Sequence, residues 1–343
     1  MRLFLFWFFG KGLSVNKRFM IIVPVVTFTV SLVMGLILVS AQGESVLPDV
    51  VIAERSSFHP EGIEFDPETG QFLTGSFTEG TVFTIDDTGA VAEFITDSDF
   101  VSTIGIHIDH DNNRLLVANA DPGIVADPEA TGIAMLGIYD LSTGERMHMV
   151  DLGALLPDSV HFANDVVNDA DGNAYVTDSF TPVIYRVTPD GTASIFAEDK
   201  RFANESWGLN GIEYHPDGYL LVAVTGAGAL YKLPIGDPES ITAVALPEPI
   251  GADGMVFDPD GRLIVVATTF ETDGMEKSEV LALSSEDAWE SASIVGRAPT
   301  DAARSPTTAT IRDGAVYVVY AHFDAMFAGE PVESFEIERV SFN

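Results

Sequence analysis

Residues 164–176 read NDVVNDADGNAYV. Apolar residues flank the turn formers Asp169, Asp171, Gly172 and Asn173, the pattern of two short strands joined by a tight turn. The same phrase recurs at 61–75, 105–119, 210–224 and 253–267, with a degenerate copy at 307–320. A second hairpin follows most copies, as at 82–95 and 184–197. Four strands in a unit of about 45 residues, repeated, predict an all-β fold: a six-bladed β-propeller with four-stranded blades over residues 42–343. Residues 50–53 are expected to add the outer strand to the last blade beside 334–340, which hides a sheet edge. A pair of β-sandwiches also uses short strands, but the even spacing of the turns argues against it.

The composition narrows the function classes. The chain has 343 residues, with 46% hydrophobic and 10% aromatic residues, enough for a large core. Its 30 glycines and 18 prolines suit a fold rich in tight turns. Cysteine is absent, which excludes disulfides, thiolate metal sites and a cysteine nucleophile. Asp and Glu number 52 against 17 Lys and Arg. Such a surface repels phosphate, so nucleic acid is excluded as a partner and anionic lipid is disfavoured. The carboxylates are spread along the whole chain, as expected of a solvated, self-repelling surface.

Residues 1–41 read as a signal peptide or signal anchor. Arg2, Lys11, Lys17 and Arg18 precede an uncharged run over 19–40, and Val39, Ser40 and Ala41 offer a small-residue cleavage site. The run is also long enough to span a bilayer, which takes about 20 residues. Either reading exports the rest of the chain, to a secreted, periplasmic or outward-facing anchored form. Membrane contact is expected only through an uncleaved anchor.

The longer connections fall on one side of the expected ring. Residues 121–132 and 270–277 join second to third strands, while 151–163, 200–209 and 296–306 lead into the next blade. Both classes share one face of a propeller, so that face is the expected mouth of a site. The first position of each repeat holds Glu61, Ile104, Asn164, Asn210, Asp253 and Thr307. Innermost strands line the central channel, so these side chains converge near the axis. Two carboxylates and two amides make an oxygen-donor set suited to calcium or another hard divalent cation, and poorly suited to zinc.

Glu61-Gly62-Ile63, Asn164-Asp165-Val166, Asn210-Gly211-Ile212 and Asp253-Gly254-Met255 resemble the four calcium-ligand stations of the senescence marker protein, gluconolactonase and luciferin-regenerating-enzyme family. Paraoxonases and squid-type diisopropylfluorophosphatases share that arrangement. The resemblance implies a calcium-dependent hydrolase of lactones or related esters, with Glu61, Asn164, Asn210 and Asp253 as metal ligands. It also puts Asp253 forward as the catalytic base or nucleophile. Sugar lactonases of the family usually carry Arg-Pro where Phe162 and Ala163 stand, which shifts the expected substrate toward a more apolar ester or lactone. His322, placed on the mouth face, is a second catalytic candidate. Phe162, Trp207 and His107 are candidate pocket residues, and Asp165 is a candidate ligand for a second calcium ion. The competing function is a non-catalytic exported binding propeller with a structural calcium.

Overall fold

The computed structural model describes residues 47–127, 130–270 and 276–343. The expected leader or anchor and the 41/42 boundary lie outside the described residues. Among the described residues no helix is long and apolar enough to cross a membrane.

The architecture is all-β, with four-stranded blades in a propeller arrangement. In chain order, β1 (Val50–Ala53) precedes the first blade of β2 (Ile63–Asp66), β3 (Gln71–Thr74), β4 (Thr81–Ile85) and β5 (Val91–Thr96). Then come β6 (Ser102–Asp109), β7 (Arg114–Ala120), β8 (Gly132–Asp140) and β9 (Arg146–Asp151). They are followed by β10 (His161–Asn168), β11 (Ala174–Asp178), β12 (Val183–Val187) and β13 (Ala193–Glu198). A further blade holds β14 (Leu209–His215), β15 (Tyr219–Val224), β16 (Ala229–Pro234) and β17 (Thr242–Ala243). The next holds β18 (Ala252–Phe257), β19 (Leu263–Phe270), β20 (Glu276–Ser284) and β21 (Ser293–Pro299). In the last, β22 (Pro306–Arg312), β23 (Ala315–Tyr320) and β24 (Phe335–Val340) are completed by β1. Two short helices, α1 (Gly123–Ala126) and α2 (Phe323–Ala328), interrupt connections between second and third strands.

The expectation of six separate four-stranded blades needs correction. Four sheets have four strands each, whereas β6 to β13 form one sheet of eight. The junction is a two-residue parallel pairing of β8 with β10, Gly132 opposite His161 and Ile133 opposite Phe162. Gly132 makes it possible: its φ is +63°, and a Cβ there would lie 2.1 Å from the His161 carbonyl oxygen. His161 N donates to Thr131 O at 2.8 Å beside it.

The repeated turns are held by their aspartates. Asp169 Oδ1 accepts from the backbone N–H groups of Asp171 and Asn173 at 3.0 and 2.8 Å. Asp258 Oδ1 does the same for Asp260 and Arg262, and Asp66 Oδ1 for Glu68. These side chains satisfy backbone donors that a tight turn leaves unpaired, which is why Asp recurs there. Alternating apolar side chains fill the seams between successive sheets. Leu221, Ala223 and Leu230 pack on Leu263, Val265 and Leu281, for example.

The ring closes through its first strand. β1 pairs antiparallel with β24, Val51 opposite Ile337 and Ala53 opposite Phe335. Phe58, fully buried, lies 5.0 Å from both Phe83 of the first blade and Phe335 of the last. Such aromatic pairs contribute about 0.5–1.5 kcal/mol beyond the area they bury. Arg312 of β22 adds a bidentate pair with Asp87 of the first blade.

Candidate active site at the head of the channel

The innermost strands β2, β6, β10, β14, β18 and β22 meet one another around the axis. Gly62 N donates to Ile104 O at 3.1 Å, Asp165 Oδ2 accepts from Ile212 N at 3.1 Å, and Thr307 Oγ1 donates to Glu61 O at 2.8 Å. Between β14 and β18 the approach is tighter still. A Cβ on Gly211 would stand 2.3 Å from the Asp253 carbonyl oxygen, so only glycine lets the strand carrying Asn210 reach the strand carrying Asp253.

Glu61, Asn164 and Asn210 are buried, and Glu61 feels the charge of Asp253 and Asp165. Burial first, then those two carboxylates, drives the Glu61 carboxyl well above its usual range. Asp253 is pushed up to about 7 by burial, against a hydrogen bond from the Asn210 side chain and with the field of Asp165 adding to the rise. Asn164 Nδ2 donates to Ser179 Oγ at 3.0 Å, whereas its Oδ1 is buried with no hydrogen-bond partner. A buried acceptor of that kind is costly unless something supplies positive charge or a proton.

Among the described residues no group of three or more His, Cys, Asp or Glu side chains is set to hold a metal ion. The set at the channel head counts two carboxylates and two amides, a chemistry that fits a hard cation. Glu61 and Asp253 destabilise each other's charge, and a dication would relieve both them and the orphaned Asn164 oxygen.

A second polar layer follows three residues further along β2, β6, β14 and β22, with Glu64, His107, Glu213 and Thr310, whereas the matching Val167 and Val256 pack in apolar clusters between sheets. His107 Nδ1 lies 3.1 Å from Glu64 Oε1, and Thr310 Oγ1 donates to Glu64 Oε2 at 3.5 Å. Burial opposes the charge on His107, but the Glu64 hydrogen bond and the fields of Glu64, Glu213 and Asp165 outweigh it and set its pKa at about 9. Burial pushes Glu213 up to about 8, with His107 opposing the rise. Asp165 is raised to about 7 by burial, although its carboxylate accepts from Val166 N and Ile212 N.

Local register explains this three-residue step. In β6, β10, β14, β18 and β22 the pairing with the next strand shifts just after the channel-head position. A bulge adds one residue and re-aims the side chains beyond it, so in β6, β14 and β22 positions three apart share one face. His107 thus meets Glu64 between the inner strands β6 and β2.

On the mouth face Phe162 is buried and meets Trp207 edge-on at 5.4 Å, with Phe180 5.3 Å from Trp207. Phe77 and Phe323 join them in one apolar cluster with Ile104. His322 begins α2 with φ 54°, and its Nε2 lies 2.8 Å from Glu336 Oε2. It neighbours His59, whose pKa is lowered by burial, opposed by a 2.7 Å contact of Nδ1 with Ala321 O and aided by the His322 field. Sequence reading missed Glu64, Glu213, His59, Phe77 and α2. The first two carried a signal, since they co-register with His107.

No family model matches the chain. The major allergen Mal f 1 of Malassezia furfur is 29% identical over 167 residues, which is 46% of this chain and 46% of that protein. The match thus spans about half the length of that curated relative. Among solved structures, the Malassezia sympodialis allergen Mala s 1 aligns with a TM-score of 0.71 at 20% identity, covering 86% of this chain and 97% of that one. A gluconolactonase from Xanthomonas campestris aligns with a TM-score of 0.57 at 16% identity, covering 85% and 89%. The calcium-binding protein regucalcin from Agrobacterium tumefaciens aligns with a TM-score of 0.57 at 18% identity, covering 86% and 95%. A luciferin-regenerating enzyme is a further structural neighbour. At these identities the likeness is one of fold, and it is the propeller fold of the family that the four channel-head stations resemble.

Proposed function

We propose that the chain is an exported, calcium-dependent hydrolase of lactones or related esters, acting at the head of the channel of a six-bladed ring. The count of six divides the eight-stranded sheet at its two-residue parallel pairing, leaving β6–β9 and β10–β13 as units built like the other four. The reading rests above all on one observation: a buried, unpartnered Asn164 Oδ1 among co-registered oxygen donors that include Glu61 and Asp253. Glu61, Asn164, Asn210 and Asp253 would hold the ion, with calcium foremost among hard divalent cations. When bound, the cation supplies Lewis acidity toward a carbonyl oxygen or a water.

The chain's own residues do the rest. Ser179 fixes the Asn164 amide, and the Asn210 side chain orients the Asp253 carboxylate. Asp253 is the proposed base, taking a proton from the attacking water onto a carboxylate oxygen. His322, steered by Glu336, is the second acid–base candidate. Phe162 and Trp207 form an apolar wall that excludes water, and Asp165 is proposed as a contact for a second calcium ion. The fold neighbours named gluconolactonase and regucalcin support this class.

The test combines metal analysis of the purified protein with a panel of aryl esters and lactones, with and without chelator. Chelation is expected to stop turnover. Asp253→Asn is expected to lower it by about 10²-fold or more while unfolding stays cooperative. Full activity in chelated protein, or no turnover across the panel, overturns the reading. A second reading, a non-catalytic binding propeller with a structural calcium, is favoured by the higher TM-score of the allergen. It predicts calcium stabilisation without turnover.

A further inference from the structure

Beside the channel head lies an open groove of about 340 Å³ on the mouth face. Its walls come from the β3–β4 loop, the start of β6, the β7–β8 connection and α2. Its lining is mixed: Phe77, Val101, Pro122, Met326 and Phe327 are apolar, while Thr78, Ser102 and Asp121 are polar. Val101 and Phe327 are 46% and 63% exposed, although water contact with such side chains is unfavourable. None of the four oxygen donors lines the groove, but the two regions share a wall. Phe77 packs in one cluster with Ile104, the channel-head residue of β6, and with Phe162. Phe77 N also donates to His59 O at 2.8 Å, which ties the wall to the segment leading into Glu61.

We propose that this groove is the subsite for an unbranched, neutral acyl chain of the substrate, and that Phe77, Val101 and Phe327 set the preference for chain length. The inference rests on the ester-hydrolase reading above. Three observations select this occupant. The volume is at the lower end of the roughly 300–1,000 Å³ typical of small-molecule clefts, so it suits a chain rather than a bulky ring system. Phe77 both lines the groove and packs against Ile104 at the channel head, so the apolar part of the lining begins on that side. The Asp121 carboxylate and a formal net charge of −35 disfavour a negatively charged tail. Each methylene that leaves water for such a surface strengthens binding by about four-fold.

The experiment uses two series on the full chain. Turnover of p-nitrophenyl esters from acetate to octanoate reads KM against chain length. Calorimetry with the matching non-hydrolysable p-nitrophenyl alkyl ethers reads binding without chemistry. In the wild type, affinity is expected to rise by up to about four-fold per methylene until the groove is filled. Phe327→Asp and Val101→Asp, both at exposed positions, are expected to flatten that slope. Val295→Asp, exposed on β21 away from the groove, is expected to keep it. If the groove variants keep the wild-type slope, or if ethers of every length bind alike, the subsite is overturned while ester hydrolysis leaves the functional reading standing. If no ester turns over but ether binding still lengthens and flattens as stated, the hydrolase reading falls and the apolar-chain site survives. Loss of self-association or of vesicle binding in Phe327→Asp, without ether binding in the wild type, assigns the groove to another occupant and also overturns it.

Discussion

Replacing Gly211 with alanine should damage the protein even though alanine is ordinarily the better strand residue. Glycine in a strand costs about 0.5–1 kcal/mol relative to alanine, so an unhindered exchange would stabilise. Here the new Cβ would sit 2.3 Å from Asp253 O and 2.9 Å from Met255 Cγ, whereas ordinary contact begins at 3.4 Å. About 1 Å must therefore come from the backbones of β14 and β18, since a carbonyl oxygen has no rotamer to retreat into. Forced packing of one extra carbon costs about 1–3 kcal/mol. Those two strands carry Asn210 and Asp253, two of the proposed calcium ligands, so such a displacement should weaken the hold on the ion. Urea unfolding followed by tryptophan fluorescence measures the first effect, and the calcium-induced shift in thermal midpoint measures the second. Gly236→Ala is the matched control: nothing lies within 4 Å of a Cβ there, and it should be neutral or stabilise by about 0.4–1 kcal/mol. A Gly211→Ala protein with wild-type stability and a wild-type calcium shift would refute the argument that the channel head depends on this close approach.

The other predictions concern charge. Glu61, Asp165, Glu213 and Asp253 all have carboxyl pKa values raised by burial, so between about pH 4 and 8 the folded state holds protons that the unfolded chain has released. The contribution of these four groups to stability without metal is thus fully present below the ordinary carboxylate range and is lost as pH rises through 7–8. Saturating calcium should flatten that decline, and calorimetry across pH reads both. Glu64→Gln removes the main partner that keeps His107 charged, so burial gains weight and the imidazole pKa should fall from about 9, as NMR titration would show. A His107 that still titrates near 9 in that variant would show that Glu213 and Asp165 alone hold the proton.

The strands and the channel head were legible because their determinants are local. An aspartate that captures its own turn, as Asp169 does, leaves the same mark in every repeat. The first position of each repeat can be compared without knowing any contact. The Gly132–His161 junction left no such mark, since a two-residue parallel pairing is made between segments far apart and has no periodicity. Helix α2 spans only Phe323–Ala328, too short for a helical repeat to emerge from its apolar residues. The second channel layer escaped for a different reason. Strand alternation places inward side chains two residues apart, whereas the bulges of β6 and β14 put His107 and Glu213 three residues beyond the channel head.

The pairing of β1 with β24 also bears on when the ring can form. A chain emerging head-first presents Ala53 early and its partner Phe335 only near the end, with nearly every other blade strand in between. Joining such distant segments carries a large chain-closure entropy and makes folding slow relative to local hairpin formation. Until then the outer edge of the last sheet lacks its partner and Phe58 lacks half of its packing surface. The native ring is therefore a late event of folding, completed only once β24 is available to β1.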